Sequence, residues 1–264
     1  MTKIIALLKD IVDLNEIKID PSTRQPRTEG LKRRISDVDK RALEAAIRLK
    51  EGNGCEIVAL SMGSDKTRTA MLEALAMGAD SLYVVNDGGL REVDALVTSK
   101  VLRAAVEKIG GYDLVLCGEM TLDSLSAQVG PRLAELLGLP QVTYVKQIEL
   151  VDSKVRAVRD LEDVDEVVEV ELPAVISVVR EINEARIPSL MNIMRAKKKP
   201  TEEWDASALG LSAEELSAES SIEVVKVEAP LVERKRIVIE AETVEEAAAK
   251  LADAIIGEGM VVAR

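Results

Sequence analysis

The sequence predicts an α/β protein built on a doubly wound, mostly parallel sheet, with an extended C-terminal arm. Three observations carry this. Short β-rich apolar runs alternate with segments of helical period through the first half of the chain, the pattern of βαβ units with helices on both faces of a parallel sheet. Those runs are nearly continuous in apolar residues, as strands buried on both faces are. Finally, 264 residues with 47% hydrophobic content can bury one large core and still supply an appendage.

In chain order, "KIIALLK" (3–9), "EIVALSM" (56–62), "SLYVVN" (81–86) and "DLVLCG" (113–118) read as the buried strands. Helical segments are expected at about 37–51, 66–78, 91–109 and 123–137. In the first of these, Ser36 is placed to cap the start, Ala42, Ala45, Ala46 and Leu49 share a face, and Gly52 is expected to stop it. "QVTYVKQIELVD" and "SKVRAVRDL" then predict a hairpin over 142–160. From Asp160 to Glu171 there are seven acidic residues and no basic one, partly alternating with Val, which indicates a strand with one solvated face. After Pro200 the composition shifts to Ala, Ser and Glu, then to irregular extended pieces. It ends in "TVEEAAAKLADAII", a helix with Thr243 as cap and Glu246 at the capping-box position. The α/β domain is therefore expected over 1–200, with the hairpin and the loop 183–199 inside it, and 201–264 as an arm and helix lying on another surface.

Composition excludes several functions. A formal net charge of −12 argues against nucleic-acid binding, and 2% aromatic content with no Phe leaves no stacking platform. Histidine is absent, which removes Ser-His-Asp and Cys-His catalysis and imidazole metal sites; no catalytic residue and no metal site is expected. Cys55 and Cys117 fall in separate apolar runs and read as buried free thiols. "MTKIIALLKD" does not resemble a signal peptide, and no apolar run approaches the ~20 residues of a membrane helix, so a cytoplasmic protein without membrane insertion is expected.

Open parallel sheets bind ligands beyond the carboxyl ends of their strands. Four places qualify: Leu7 to Asp13, the turn Ser36-Asp37-Val38-Asp39, "MGSDKTRTA" after the second strand, and "CGEMTLDSLSAQVGP" after "DLVLCG". In the last, Gly118 permits close backbone approach, and Asp123, Ser124 and Ser126 can cap a new helix. The amides near Ser126, Ala127, Gln128 and Val129 would then face outward at a terminus that attracts phosphate. An ordinary helix cap without a ligand fits the same spacing. Neither GxGxxG nor the Walker-A pattern occurs, so a nucleotide here would rest on an adenine pocket and helix amides.

"REINEARIPSLMNIMRAKKKP" (180–200) follows a long apolar strand with four large aliphatic residues in five positions and then a cluster of positive charge. Such an irregular segment makes sense if another protein covers Leu190, Met191, Ile193 and Met194. Arg195 and Lys197 to Lys199 would then steer that partner or pin the C-terminal arm. Taken alone, Leu190 also fits a core residue beneath a loop, and the lysines a solvated run.

The same stretch resembles the signature of the electron-transfer flavoprotein β subunit: an Asn-Glu-x-Arg segment, a recognition loop, then Ala-Lys-Lys-Lys. "DKRALEAAIRLKE", "LEALAMGAD", "DLVLCGE…AQVGPRLAELLGLPQVTY" and "RDLED" agree with that family, and the resemblance covers nearly the whole chain, more weakly after Pro200. It implies an obligate heterodimer with a homologous α subunit that carries the electron-shuttling FAD and takes up the arm. It also implies an adenine nucleotide in this subunit, held by Leu7, Ser36 to Asp39, Thr67 and the loop Gly118 to Val129 (Glu119, Met120, Thr121, Asp123, Ser124, Ser126, Ala127 and Gln128 included). In one branch that nucleotide is a structural AMP, and the carrier takes electrons from acyl-CoA dehydrogenases. In the electron-bifurcating branch it is the AMP part of a second FAD reduced by NADH. "DALVTS" and "AQVGP…LPQVTY" resemble the bifurcating branch, which is the expectation here. Met120-Thr121-Leu122-Asp123, Ser124-Leu125-Ser126 and Ser36-Asp37 depart from the family's usual residues. Leu190 matches the anchor by which the family docks redox partners of dehydrogenase, ferredoxin or quinone-reductase type, and Arg159 and Asp160 fall where it places charges near the α-subunit flavin. A non-redox nucleotide sensor of similar fold is the rival from another class.

Overall fold

The computed structural model describes residues 1–91, 93–231 and 234–259. Its strands are β1 (Lys3–Leu7), β2 (Asp10–Val12), β3 (Lys18–Ile19), β4 (Pro26–Arg27), β5 (Arg33–Ile35), β6 (Glu56–Gly63), β7 (Ser81–Asn86), β8 (Leu114–Gly118), β9 (Gln141–Val151), β10 (Lys154–Asp160), β11 (Asp165–Glu171), β12 (Ala174–Val178) and β13 (Thr201–Trp204). Its α-helices are α1 (Asp37–Asn53), α2 (Thr67–Met77), α3 (Ala95–Ile109), α4 (Val129–Leu137), α5 (Leu190–Ala196), α6 (Ala213–Ala218) and α7 (Val244–Gly257).

Nine strands form the main sheet in the order β11-β10-β9-β12-β8-β1-β6-β7-β13. Every pairing from β9 through β12 to β13 is parallel, and only the β9–β10–β11 end is antiparallel. Because successive side chains of a strand point to opposite faces, adjacent isoleucines in β1 enter different cores. Ile4 packs with α1 and α2 residues such as Leu43 and Met71, and Ile5 with α3 and α4 residues such as Val101 and Leu133. The chain runs outward from β1 to β6 and β7, then returns to β8 on the other side of β1. The direction of winding therefore reverses between β1 and β8, and a crevice opens at their carboxyl ends.

Four local expectations shift. Helix α1 runs past Gly52 and stops at Gly54, whose φ of +73° lets its N–H reach the Lys50 carbonyl. Ser36 is the residue before α1, but its hydroxyl is buried and bonds nothing. Helix α3 begins at Ala95, because the Asp94 carboxylate accepts from the Leu96 and Val97 amides. The Leu-Met-Ile-Met segment is not irregular: it forms α5, with the Ser189 hydroxyl accepting from the Asn192 amide.

The domain boundary expected at Pro200 also moves. Thr201–Trp204 extend the sheet as β13 alongside β7, and Trp204, Ala206 and Leu216 are buried in the core. The arm begins at about residue 220 instead. It is tied down where the Ser221 amide bonds Asp94 (2.9 Å) and where the Ala229 amide bonds the Arg24 carbonyl (2.8 Å). Helix α7 carries the expected Thr243 cap and buries none of its residues. The acidic run forms the edge strand β11, its charges paired across strands with Lys154, Arg156 and Arg159; a charged edge resists pairing with other chains.

Candidate functional site

A cavity of about 550 Å³ opens at the carboxyl rim where the winding reverses. All four sequence stretches singled out above contribute to its wall: Leu7 to Asp10, Asp39, Gly63 with Ser64, and Cys117 to Thr121 with Ser124 and Ser126 to Gly130. Asp39 holds the crevice together. Its carboxylate is buried and accepts from the Lys9 amide just past β1 (2.9 Å) and from the Gly118 amide ending β8 (3.1 Å). The two strands between which the winding reverses are thus bridged by one side chain from α1.

Burial pushes the Asp39 carboxyl up to about 7, against the pull of those two amide bonds. The folded chain then keeps a proton that the unfolded chain releases near pH 4. Stability therefore falls as pH rises between about 4 and 7, and levels off above. For Asp39→Asn we expect that slope to disappear. At pH 7.5 a loss of about 1–3 kcal/mol is expected, because the amide NH₂ faces one of the two N–H groups. Denaturant titrations across this pH range check both.

Glycine is required at two wall positions. A Cβ on Gly118 would stand 2.6 Å from Asp39 Oδ1, and one on Gly63 would stand 2.1 Å from Thr67 Oγ1. Below them, Thr67 donates to the buried Asp10 (2.7 Å), which also pairs with Arg33. Cys117 lines the floor; burial pushes its thiol up to about 12, so it is inert.

The loop from Glu119 to Gln128 is not the start of a helix, as 123–137 had suggested. Leu125 and Ala127 both sit at φ +52°, a conformation that costs a residue with a Cβ about 1–2 kcal/mol and breaks helical continuity. Helix α4 therefore starts at Val129, with Asp123, Ser124 and Ser126 in the loop before it. Pro131, in its first turn, has no N–H to offer. Left-handed Ala127 followed by Gln128 at φ −104°, ψ −30° is the alternation that makes successive amides converge on an anion. The Lys9 ammonium closes this side of the rim against Asp123 (2.7 Å).

Glu119, on the same wall, has one buried carboxylate oxygen with no partner. Burial first, and Glu181 second, hold its pKa above the usual carboxylate range. Such an oxygen suits a ligand hydroxyl or amine. Opposite, Leu90, Val93 and Leu102 form an apolar face, and Ile222 from the arm reaches the mouth. Converging amides, a neutral-donor acceptor and an apolar wall in one cavity fit a nucleotide's phosphate, sugar and ring.

Of the residues expected to hold a nucleotide, Leu7, Asp39, Gly118, Glu119, Met120, Thr121, Ser124, Ser126, Ala127, Gln128 and Val129 line the cavity. Ser36, Asp37, Val38, Thr67 and Asp123 do not; Asp37 pairs with Arg34 (3.0 Å), and Thr67 and Asp123 act through Asp10 and Lys9. Sequence reasoning missed Arg33, which sits within the short strand β5, and the Leu90–Leu102 wall, which follows β7 but whose apolar residues carry no phosphate-binding or capping signal. Arg159 and Asp160 lie on the hairpin, away from the cavity, where Arg159 bonds the Thr143 carbonyl and Glu166.

The expected docking segment packs α5 on α2 but turns its large apolar side chains to solvent. Leu190 is 82% exposed, and Met191, Ile193 and Met194 are exposed with it, so Leu190 is not a core residue under a loop. Arg195, Lys197 and Lys198 are exposed, whereas Lys199 folds back to donate to the carbonyls of Leu75 (2.9 Å) and Ala79 (2.5 Å).

Residues 27–209 match the family model described as an electron transfer flavoprotein domain. Among characterised proteins, the chain is 40% identical over 233 residues to an electron transfer flavoprotein subunit beta of Thermoanaerobacterium thermosaccharolyticum, covering 88% of this chain and 89% of that one. It is 38% identical over 213 residues to the caffeyl-CoA reductase-Etf complex subunit CarD of Acetobacterium woodii, covering 80% and 81%. The subunit beta of Clostridium acetobutylicum is 36% identical over 223 residues, covering 84% and 86%.

Proposed function

Since the chain belongs to the electron transfer flavoprotein family, as a β subunit, we propose that its rim cavity holds the adenylate part of a second FAD. One observation carries this reading. The cavity does not end at the β1–β8 crevice that an adenylate would fill; it continues beneath the β7–α3 connection to the apolar face of Leu90, Val93 and Leu102. A volume of about 550 Å³ sits well inside the range of sites for extended ligands. In this reading the amides of Ala127 to Gly130 face phosphate, Glu119 accepts from a hydroxyl or amine, and the Leu90 side excludes water from the ring. When bound, that flavin supplies two-electron acceptance from NADH and one-electron delivery to a low-potential ferredoxin and to the FAD of the α subunit.

The arm and α7 expose Val225, Leu231, Val238 and Ile256, and belong on the α subunit. Among the described residues no helix is long and apolar enough to cross a membrane, and a cytoplasmic heterodimer completes the proposal. Its test is the cofactor content of the co-purified heterodimer. Two FAD are expected; one FAD with one AMP would replace this reading by the carrier with a structural nucleotide, and absence of flavin would leave only a nucleotide sensor.

Helix α5 docks a redox partner. Burying one leucine contributes roughly 1.5–3 kcal/mol, so Leu190→Ala is expected to raise KM for a dehydrogenase-type redox partner about 10- to 150-fold. Flavin content should not change, because the side chain is exposed and does not line the rim cavity. Steady-state electron transfer as a function of flavoprotein concentration measures this.

A further inference from the structure

We propose that Arg186 and Lys199 are the two posts on which the docking segment 187–198 is mounted, and that they, more than the core, set how α5 is presented. Almost nothing in this segment is held by burial. Ile187, Leu190, Met191, Ile193 and Met194 are exposed, and Ala196 alone is fully buried. Seven residues of helix are too few to persist on their own propensity. What fixes them lies at the two ends.

At the first end, the Arg186 guanidinium forks onto Glu44 of α1 (2.7 and 3.1 Å) and onto Glu51 further along the same helix (2.6 and 3.1 Å). The Asn183 side chain adds a bond to the Arg41 carbonyl (3.0 Å). At the second end, the Lys199 ammonium bonds two carbonyls where α2 finishes, the negative pole of that helix. Immediately beyond, the Leu82 amide takes the Pro200 carbonyl and β13 enters the sheet. The segment therefore leaves α1 at one fixed point and rejoins the fold at another. The three consecutive lysines differ in role, since Lys197 and Lys198 face solvent and Lys199 is a structural cap. A preorganised segment loses less conformational freedom on binding, which is where the mount would act.

The inference rests on the docking role given to Leu190, but the two can fail separately, because the mount is read on the flavoprotein alone. In the purified two-subunit complex, amide hydrogen exchange over 187–198 and the rate of tryptic cleavage after Arg195 would be followed for wild type, Lys199→Met, Lys199→Arg and Lys198→Met. Cleavage after residue 199 is blocked by Pro200, so no new cut confuses the comparison. Lys199→Met is expected to speed both readouts about 10-fold, Lys199→Arg to restore most of the protection, and Lys198→Met, which removes the same charge, to leave both unchanged. Flavin content should stay constant throughout. Equal behaviour of Lys199→Met and Lys198→Met would overturn the proposal, as would protection lost across the whole chain. If Lys199→Met gives no soluble complex, Lys199→Gln keeps a shorter donor and should lie between; its equality with wild type would also overturn it.

Discussion

Replacing Arg186 with methionine is expected to destabilise the fold by about 3–5 kcal/mol at neutral pH, the cost of leaving a buried carboxylate with too few partners. Glu44 is 2% exposed and sits in the first core's helix layer. Burial works against its charge, but the bonds from Arg186 and then Arg48 outweigh it, and its pKa lies below the ordinary 4.5. Glu51, bonded by the same guanidinium, is lowered too. A carboxylate with a depressed folded pKa stabilises above its unfolded pKa and loses that contribution as pH falls through the folded value. The gap between wild type and Arg186→Met should therefore narrow steadily below about pH 4.5, because acid neutralises the carboxylates that the arginine serves. Denaturant titrations at pH 7 and pH 4 give both numbers. A difference under 1 kcal/mol at pH 7 would mean that Arg48, 2.9 Å from Glu44, suffices alone.

The second large effect is expected from a single methyl group at Gly118. Its Cβ would meet Asp39 Oδ1 at 2.6 Å, and the Asp39 amide and Val38 backbone at 3.0 Å. Two of those three contacts are backbone at the start of α1, and the carboxylate is tethered to the Lys9 amide, so nothing nearby can yield cheaply. Gly118→Ala should cost about 1–3 kcal/mol and reduce the nucleotide recovered per complex at least 10-fold, because the crevice between β1 and β8 is forced apart. Gly52→Ala is the control. Gly52 lies within α1 with open space around it, and the same change there should stabilise by up to about 1 kcal/mol. Were Gly118→Ala to retain nucleotide as wild type does, the cavity would not be the binding site.

The candidate site was legible to the extent that it follows strand ends. Leu7, Asp39 and the loop from Gly118 to Val129 could be named because ligands gather where parallel strands stop, and each of these stretches follows or flanks an apolar run. Thr67 and Asp123 were near misses for a common reason: a polar residue beside a site bonds either the ligand or a neighbouring side chain, and the partner's identity lies dozens of residues away. Asp10, 57 positions from Thr67, decides the first case. The start of α4 was misplaced because Asp123, Ser124 and Ser126 all have the chemistry of a cap. Only the left-handed Leu125 and Ala127 show that the chain turns twice more before a helix forms.

What the chain determined by itself is its pattern of burial. Continuous apolar strands, helices of 3.6-residue period and the capping chemistry at Thr243 act over a few residues, and these local preferences specify the sheet, its layers and the rim where the cavity opens. Tertiary structure alone decided which charges meet. Lys199 as a helix cap instead of a solvated lysine, Arg186 as an anchor on α1, and β13 as a ninth strand instead of the start of the arm all depend on partners more than 100 residues distant. Hydrogen bonds and ion pairs are short-ranged and directional, so a sequence reveals the donor and the acceptor, but their pairing exists only once the hydrophobic layers have brought them within about 3 Å.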